Sequence, residues 1–526
     1  MPLVHVSVEN EADCWPRATN QCDFTPKIDV CPSLFPSLRS LELHSAVSFD
    51  IRLVKARVGK EVMSFAPTSK EAEDAANGGE PATKKPKQQP PSSYFPDVPK
   101  IVYRGPESTD PLTFRYYNPE EIILGKPMKE WLRFSVCFWH TFRGKGADPF
   151  GFNTQSRHWD DETDSIENAK SRANAAFELF TKLGVEYYTF HDRDVSPERS
   201  SLAETNAVFD EIVGHLKSLQ DSTGVKLLWA TQNMFSHPRY MNGAATNPDA
   251  HVFAFGASQV KKVMDVTHTL GGENLVFWGG REGYQSILNV DIKRDLDHLA
   301  ALYKMAIKYK AEKGYNFQFL IEPKPREPSK HQYDYDAQTA MSFLSHYGLN
   351  NDFKLNIEPN HTTLAGHDFE HDIIVASKFG MLGSVDSNTG DPLVGWDTDQ
   401  FPMDVKKATL VMGAIIEQGG ISPGGLNFDC KVRRESTDDV DLFIGHIGAM
   451  DTFARGLRNA AKIREDGVLS KMVLSRYASY DNGFGKKIEE GTLTLEDCEA
   501  FIIEHGEPKQ TSGKQELYEM VLNRYT

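Results

Sequence analysis

The chain has 526 residues, of which 40% are hydrophobic and 11% aromatic, enough for a packed core in one large barrel with appendages or in several domains. A formal net charge of -16 argues against an extended nucleic-acid footprint, which needs clustered Lys and Arg, and favours the attraction of divalent cations. No run approaches the ~18 apolar residues of a membrane span, and the six cysteines show no CxxC spacing, so neither a zinc cage nor a disulfide framework is indicated.

Residues 1–40 show no clear period, and their first 17 carry Glu9, Glu11 and Asp13 without a continuous apolar segment. No secretory signal is visible there, so a cytoplasmic protein is expected. Cys14, Cys22 and Cys31 lack a fourth ligand at a usual spacing and read as unpaired thiols. Residues 45–65 alternate loosely, with Val47, Phe49, Ile51 and Leu53 against Asp50, Arg52 and Lys55, as a strand would. Residues 68–99 are rich in Pro, Ser, Lys, Glu and Gly and predict a linker. Within them Lys84, Lys85 and Lys87 read as solvated charges or as a nuclear address.

From about residue 131 short β-rich runs alternate with longer segments of helical period. The runs are 133–139, 185–191, 226–231, 274–278, 317–322, 353–357, 381–385 and 425–428. Stretches such as 165–183, 202–219, 294–310, 337–347 and 405–417 are amphipathic and long enough to be crossover helices. Eight such repeats predict an α/β fold, a (β/α)8 TIM barrel. Residues 460–526 keep a helical pattern, with a turn signal at Asp481-Asn482-Gly483 and no further strand, and predict a C-terminal helical arm. The expected division is an N-terminal extension over 1–97, a catalytic barrel over 98–459 and the arm over 460–526.

Carboxylates recur where the later β-rich runs end. Glu322 heads Glu322-Pro323-Lys324-Pro325, Glu358 heads Glu358-Pro359-Asn360-His361, and Asp386 lies in Ser384-Val385-Asp386-Ser387-Asn388. Asp397 and Asp399 flank Thr398, a spacing that in an extended loop aims both at one side, and Asp429 follows Leu426-Asn427-Phe428. Singly, each is as readily a surface acid. Together, Glu322, Glu358, His361, Asp386, Asp397, Asp399 and Asp429 fall where barrel active sites form, and so many converging carboxylates would repel one another without a cation. Six carboxylates and one imidazole suit two hard cations, Mg²⁺ or Mn²⁺, better than structural Zn²⁺.

Lys324, two residues after Glu322, would point into the same mouth along an extended segment, or else is a surface lysine of a Pro-rich loop. His191 and Asp194 end the second run with acid-base spacing, although His191 alone equally describes a core histidine. Trp139, Phe142 and Trp278, near strand mouths, would either floor a sugar-shaped pocket or belong to the core.

Seven runs carry a resemblance: Phe138-Trp139-His140-Thr141-Phe142, Asp148-Pro149-Phe150-Gly151, Phe190-His191-Asp192-Arg193-Asp194, the stretch 276–284 around Trp278-Gly279-Gly280-Arg281, Glu322-Pro323-Lys324-Pro325, the stretch 358–367, and Gly395-Trp396-Asp397-Thr398-Asp399 with its continuation to Pro402. On these the chain resembles the D-xylose isomerases, specifically their longer class, from about residue 131 onward. The resemblance implies interconversion of D-xylose and D-xylulose, and of D-glucose and D-fructose, with two divalent cations per subunit, Mg²⁺ first and Mn²⁺ or Co²⁺ as alternatives. It implies that Glu322, Glu358, Asp386 and Asp429 hold one cation, and that Glu358 is shared with a second held by His361, Asp397 and Asp399. It further implies that His191, oriented by Asp194, assists sugar-ring opening and that Lys324 hydrogen-bonds the oxygen at carbon 1. Trp139, Trp278 and Thr231 would line the pocket, Phe150 would project into a neighbouring subunit's site, and the arm would wrap a partner in a homotetramer with no nucleic-acid or membrane role. Two other readings of the same barrel are a metal-dependent phosphodiesterase, which wants a basic groove and more histidine ligands, and a non-catalytic metal-binding relative. The first ninety or so residues have no counterpart in the resemblance.

Overall fold

The structure, a computed structural model, describes residues 93–526. The expectations for Cys14, Cys22 and Cys31, for a strand within 45–65, and for Lys84, Lys85 and Lys87 lie outside the described residues. So does most of the 68–99 stretch, but its last part is not a free linker. Tyr94, Phe95 and Val98 are buried, and the Glu178 carboxylate accepts from Ser93 Oγ at 2.5 Å, Tyr94 N at 2.7 Å and Phe95 N at 3.1 Å. Two aromatic rings supply here the apolar area that the polar composition upstream lacks.

Eight strands form a closed, all-parallel barrel. They are β1 (Phe134–Cys137), β2 (Tyr187–His191), β3 (Lys226–Thr231), β4 (Asn274–Trp278), β5 (Gln318–Glu322), β6 (Phe353–Ile357), β7 (Leu382–Asp386) and β8 (Leu426–Phe428), with β8 pairing back to β1. Seven of the runs predicted as strands contain one of them, and the run 381–385 overlaps β7, which extends one residue further to Asp386. The crossover helices are α1 (Ile166–Leu183), α2 (Leu202–Thr223), α3 (Ala250–Thr269), α4 (Ile292–Lys313), α5 (Ala337–Tyr347), α6 (His371–Lys378), α7 (Val405–Glu417) and α8 (Asp439–Asp466). Six of these begin at a Ser or Asp whose side chain accepts a first-turn N–H, namely Ser165, Ser201, Asp249, Asp291, Asp336 and Asp404, which satisfies donors that the helix itself leaves free.

Strand residues alternate between two environments. Val136, Phe190, Phe277, Phe319, Ile321, Leu355, Val385 and Phe428 join the large apolar cluster shared with the helices. Their neighbours Ser135, Thr189, Asn356 and Asn427 turn the other way, and Ser135 Oγ and Thr189 Oγ1 donate to Asn427 Oδ1 at 2.9 and 2.8 Å on the inner side of three consecutive strands. A second, small cluster of Tyr187, Leu228, Trp229, Val276 and Leu320 fills part of the interior. There the β2–β3 register shifts by one residue, Tyr188 opposing Leu227 and Thr189 opposing Trp229, so Leu228 is an extra residue. Such a bulge re-aims the strand end beyond it and turns Trp229 toward the mouth.

Glycine is required at two close approaches. A side chain at Gly424 would run into the Gly383 carbonyl where β7 and β8 converge, and one at Gly456 of α8 would meet the Ala408 backbone of α7 at 2.7 Å. Residue 460 lies within α8, which continues to Asp466 before four further helices, α9 (Val468–Tyr477), α10 (Gly483–Glu489), α11 (Leu495–His505) and α12 (Gln515–Leu522). The Asp481-Asn482 turn separates α9 from α10, and Leu474, Leu495 and Ile503 expose their side chains along this segment. Among the described residues, no helix is long and apolar enough to cross a membrane.

Candidate active site

The carboxylates that end the β-rich runs converge at the C-terminal mouth of the barrel. Glu322 ends β5 and Asp386 ends β7, while Glu358 and Asp429 each follow their strand by one residue. Glu358 is also the N-cap of a short helix, Pro359–Leu364, with proline pre-setting its first turn, so His361 swings back beside Glu358. Oxygen and nitrogen atoms of Glu322, Glu358 and His361 lie within 4.8 Å of one another, as do those of Glu358, Asp397 and Asp399 and those of Glu358, Asp386 and Asp429. Glu358 belongs to all three groups. Asp397 and Asp399 thus face one centre as expected, but not along an extended loop, because Asp399 takes the left-handed φ of 44°.

Buried side-chain amides hold the carboxylates from beneath. Asn356 Nδ2 donates to Glu322 Oε2 at 2.9 Å and to Asp386 Oδ2 at 2.8 Å, Asn427 Nδ2 to Asp386 Oδ1 at 2.7 Å, and Asn388 Nδ2 to Glu358 Oε1 at 2.7 Å. These partners escaped the sequence reading, although Asn388 and Asn427 stand inside the motifs that drew it. His140 was missed too: its Nε2 lies 3.1 Å from both Asp399 Oδ2 and Asp429 Oδ1, and Lys431 Nζ lies 2.9 Å from Asp399 Oδ2.

Burial pushes the Glu358 carboxyl well above the carboxylate range, and Asp397, Asp429 and Asp399 push it further. Burial followed by Asp386 and Asp429 does the same to Glu322, and burial with Asp429 lifts Asp386 to about 7. Burial would raise Asp399 as well, but the Lys431 ammonium and His140 hold it well below the usual value. Burial opposes a proton on His140, yet Asp399 and Asp429 lift it to about 9. The group repels itself and gains from positive charge.

The residues fit hard cations on a further ground. His361 Nδ1 lies 3.1 Å from the Pro323 carbonyl, which can only accept, so Nδ1 carries a proton. In the neutral ring the Nε2 lone pair then faces two other acceptors, Glu358 Oε2 at 3.1 Å and Asp397 Oδ2 at 3.4 Å. Lone pairs converge on one point where a cation would be bound.

A cavity of about 190 Å³ opens over this set and is lined by His191, Thr231, Lys324, Glu322, Glu358 and Asp429 among others. Its aromatic wall consists of Trp139, Trp229, Phe235 and Trp278. Trp139 begins a π-helical turn after β1, and its Nε1 donates to Asp429 Oδ1 at 2.8 Å. Thr231 Oγ1 donates to the Val276 carbonyl at 2.7 Å. Phe142 is core instead: it is fully buried against Phe138, Trp159 and Phe180. Phe150 does not line this chain's cavity; its ring is 81% exposed and lies 5.7 Å from that of Trp396. A larger cavity, about 670 Å³, lies elsewhere against α3 and α4 and holds none of the predicted site residues.

His191 ends β2, and Asp194 sits on the single-turn helix that follows, reaching back so that its Oδ2 accepts from His191 N at 2.7 Å and lies 2.9 Å from Nδ1. Burial disfavours the imidazolium, but the Asp194 charge and hydrogen bond outweigh it and raise the His191 value. Trp139 stands edge-on to the ring at 4.5 Å. Lys324 Nζ is 2.5 Å from Asp397 Oδ2 and 5.2 Å from the Trp278 ring, and although burial works against its charge, Asp397 and Glu358 raise its value.

Residues 473–526 match the family described as the XylA2 C-terminal domain. A protein named xylose isomerase from Arabidopsis thaliana is 56% identical over 428 residues, covering 81% of this chain and 90% of its own length. Proteins of the same name from Rhodopirellula baltica and Thermotoga maritima are 56% and 52% identical, each covering 82% of this chain and 98% of its own. Among solved structures, a D-psicose 3-epimerase with D-tagatose from Clostridium cellulolyticum H10 aligns with a TM-score of 0.42 at 14% identity, over 62% of this chain and 99% of that one.

Proposed function

We propose a substrate and a mechanism from the premise that this chain belongs to the xylose isomerase family and is an aldose–ketose isomerase. Its reaction is the interconversion of D-xylose and D-xylulose, with D-glucose and D-fructose as a second pair, by a hydride shift between carbons 2 and 1. One molecule supplies both oxidation and reduction, so no organic redox cofactor is required. The observation that carries a cation-dependent mechanism is the convergence of His361 Nε2, Glu358 Oε2 and Asp397 Oδ2, the two oxygens 3.1 and 3.4 Å from the nitrogen. Glu322, Glu358, Asp386 and Asp429 would hold one divalent cation and Glu358, His361, Asp397 and Asp399 a second, Mg²⁺ first, with Mn²⁺ or Co²⁺ as alternatives. When bound, the cations supply Lewis acidity, lowering the cost of negative charge on the two reacting sugar oxygens.

The side chains do the rest. His191, its Nδ1 fixed on Asp194, presents Nε2 to the ring oxygen and moves the proton that ring opening needs. Lys324 donates a charge-assisted hydrogen bond to the oxygen at carbon 1, where negative charge grows as the aldehyde carbon accepts hydride. Trp139, Trp278 and Thr231 shape the sugar pocket, and the indole walls keep water from the migrating hydride. The same reading carries a cytoplasmic homotetramer in which Phe150 reaches a neighbour's site and the 460–526 arm wraps a partner; the exposed Phe150 and the exposed Leu474 and Ile503 support it. Purified protein with Mg²⁺ or Mn²⁺ is expected to convert xylose to xylulose and to stop on chelation. A folded oligomer with no turnover in either metal would refute the reading.

A further inference from the structure

One oxygen of the site has two claimants. Asp397 Oδ2 is the atom that faces His361 Nε2 at 3.4 Å, and it is also the atom that accepts from the Lys324 ammonium at 2.5 Å. The carboxylate is not free to turn and offer its other oxygen. Oδ1 accepts from Asn360 Nδ2, and the Asp397 backbone N–H is held by Glu327 Oε2 at 3.1 Å.

We propose that Lys324 and the second cation compete for Asp397 Oδ2, so that cation binding is what releases the Lys324 ammonium to the sugar. The proposal rests on the reading in which Glu358, His361, Asp397 and Asp399 hold that cation. An ammonium and a divalent ion drawn to one oxygen repel each other in a largely buried site, so each weakens the other's hold on it. Glu327 is placed to receive the displaced charge: its Oε2 lies 3.8 Å from Lys324 Nζ, on a side chain that is 43% exposed. Lys324 itself cannot leave for solvent, because its side chain is only 6% exposed and lies against the Trp278 ring. The freed ammonium therefore stays at the cavity, where a sugar oxygen can replace Glu327. This orders the events, cation before sugar, and linkage makes the coupling reciprocal: a sugar that engages Lys324 must tighten the second cation by the same factor.

The test uses the full chain stripped with a chelator, calorimetric titration with Mg²⁺, and xylitol as a polyol that cannot isomerise. Brief acetylation by acetic anhydride, read by peptide mass, reports how free the Lys324 amine is. Mg²⁺ is expected to raise acetylation of Lys324 severalfold. Lys324→Met is expected to tighten the weaker Mg²⁺ about tenfold while leaving the tighter one unchanged, and to abolish the mutual tightening of xylitol and the weaker ion. Lys324→Gln serves as the polar control on folding and should behave alike. Acetylation indifferent to Mg²⁺, or a weaker-site affinity that is unchanged or lower in both variants, overturns the competition. Stoichiometry reports on the parent reading separately: one Mg²⁺ per wild-type chain would sink the two-cation site, whereas two with equal affinities in wild type and variants would sink the competition alone.

Discussion

Cation binding should expel protons, and the burial of the carboxylates sets the sign and the pH range. Burial and Asp429 place the Asp386 carboxyl at about 7 against an ordinary 3.8, a separation worth on the order of 4 kcal/mol in favour of the neutral acid. Because the folded value lies above the unfolded one, the cation-free protein has the full benefit of the neutral acid below about pH 4 and loses it as pH rises through 7. Glu322 and Glu358 are displaced in the same direction by burial and by neighbouring carboxylates, so the group holds protons near neutral pH that a cation must replace. Mg²⁺ titrations at pH 7 in buffers of different ionisation enthalpy should therefore show net proton release, with affinity rising as pH climbs from about 5.5 to 7. Zero proton release at pH 7, together with affinity flat over that range, would refute the electrostatic account of the site.

Three further outcomes follow from individual contacts. Asn356→Leu keeps the branched shape of the side chain but strips both Glu322 and Asp386 of a donor, and should weaken Mg²⁺ binding by about 10- to 100-fold with an unchanged near-ultraviolet circular dichroism spectrum; wild-type affinity would show that the amide is passive. Asp194→Asn removes the charge that raises the His191 value and helps align its ring, so turnover on xylose should fall by about two orders of magnitude or more with little change in KM, and the acid–base shoulder of the rate profile should move to lower pH; a profile superimposable on wild type would remove His191 from ring opening. Asp451→Ala leaves the Arg115, Tyr116 and Tyr117 N–H groups, now held at 2.7 to 2.9 Å, without an acceptor and should cost about 3 kcal/mol of stability without altering Mg²⁺ stoichiometry, which urea unfolding and calorimetry would check.

Much of the barrel was legible because its signals are local. A β-rich run buried on both faces announces a parallel strand in three to six residues, and a Ser or Asp before an amphipathic stretch announces the helix that follows. The same locality exposed the site, since Glu322, Glu358 and Asp386 stand where an apolar run stops, and His191 with Asp194 closes a turn within three residues. Phe142 was ambiguous for that reason: next to Trp139 in sequence, it turns to the opposite side of the same short π-helical turn and joins the core.

Composition, period and motif by themselves determined that a carboxylate-rich mouth sits on an eight-stranded barrel, because strand alternation and strand ends are written in neighbouring residues. Only the tertiary structure decided which atoms meet there. Asn356 reaches a carboxylate 34 residues before it and another 30 residues after it, His140 comes from the π-helical turn after β1 to meet Asp399 and Asp429, and Lys324 and His361 arrive from the segments after β5 and β6 at the same oxygen of Asp397. Those encounters are set by barrel closure, which brings β8 back to β1 and turns separate strand ends into one ring of charge.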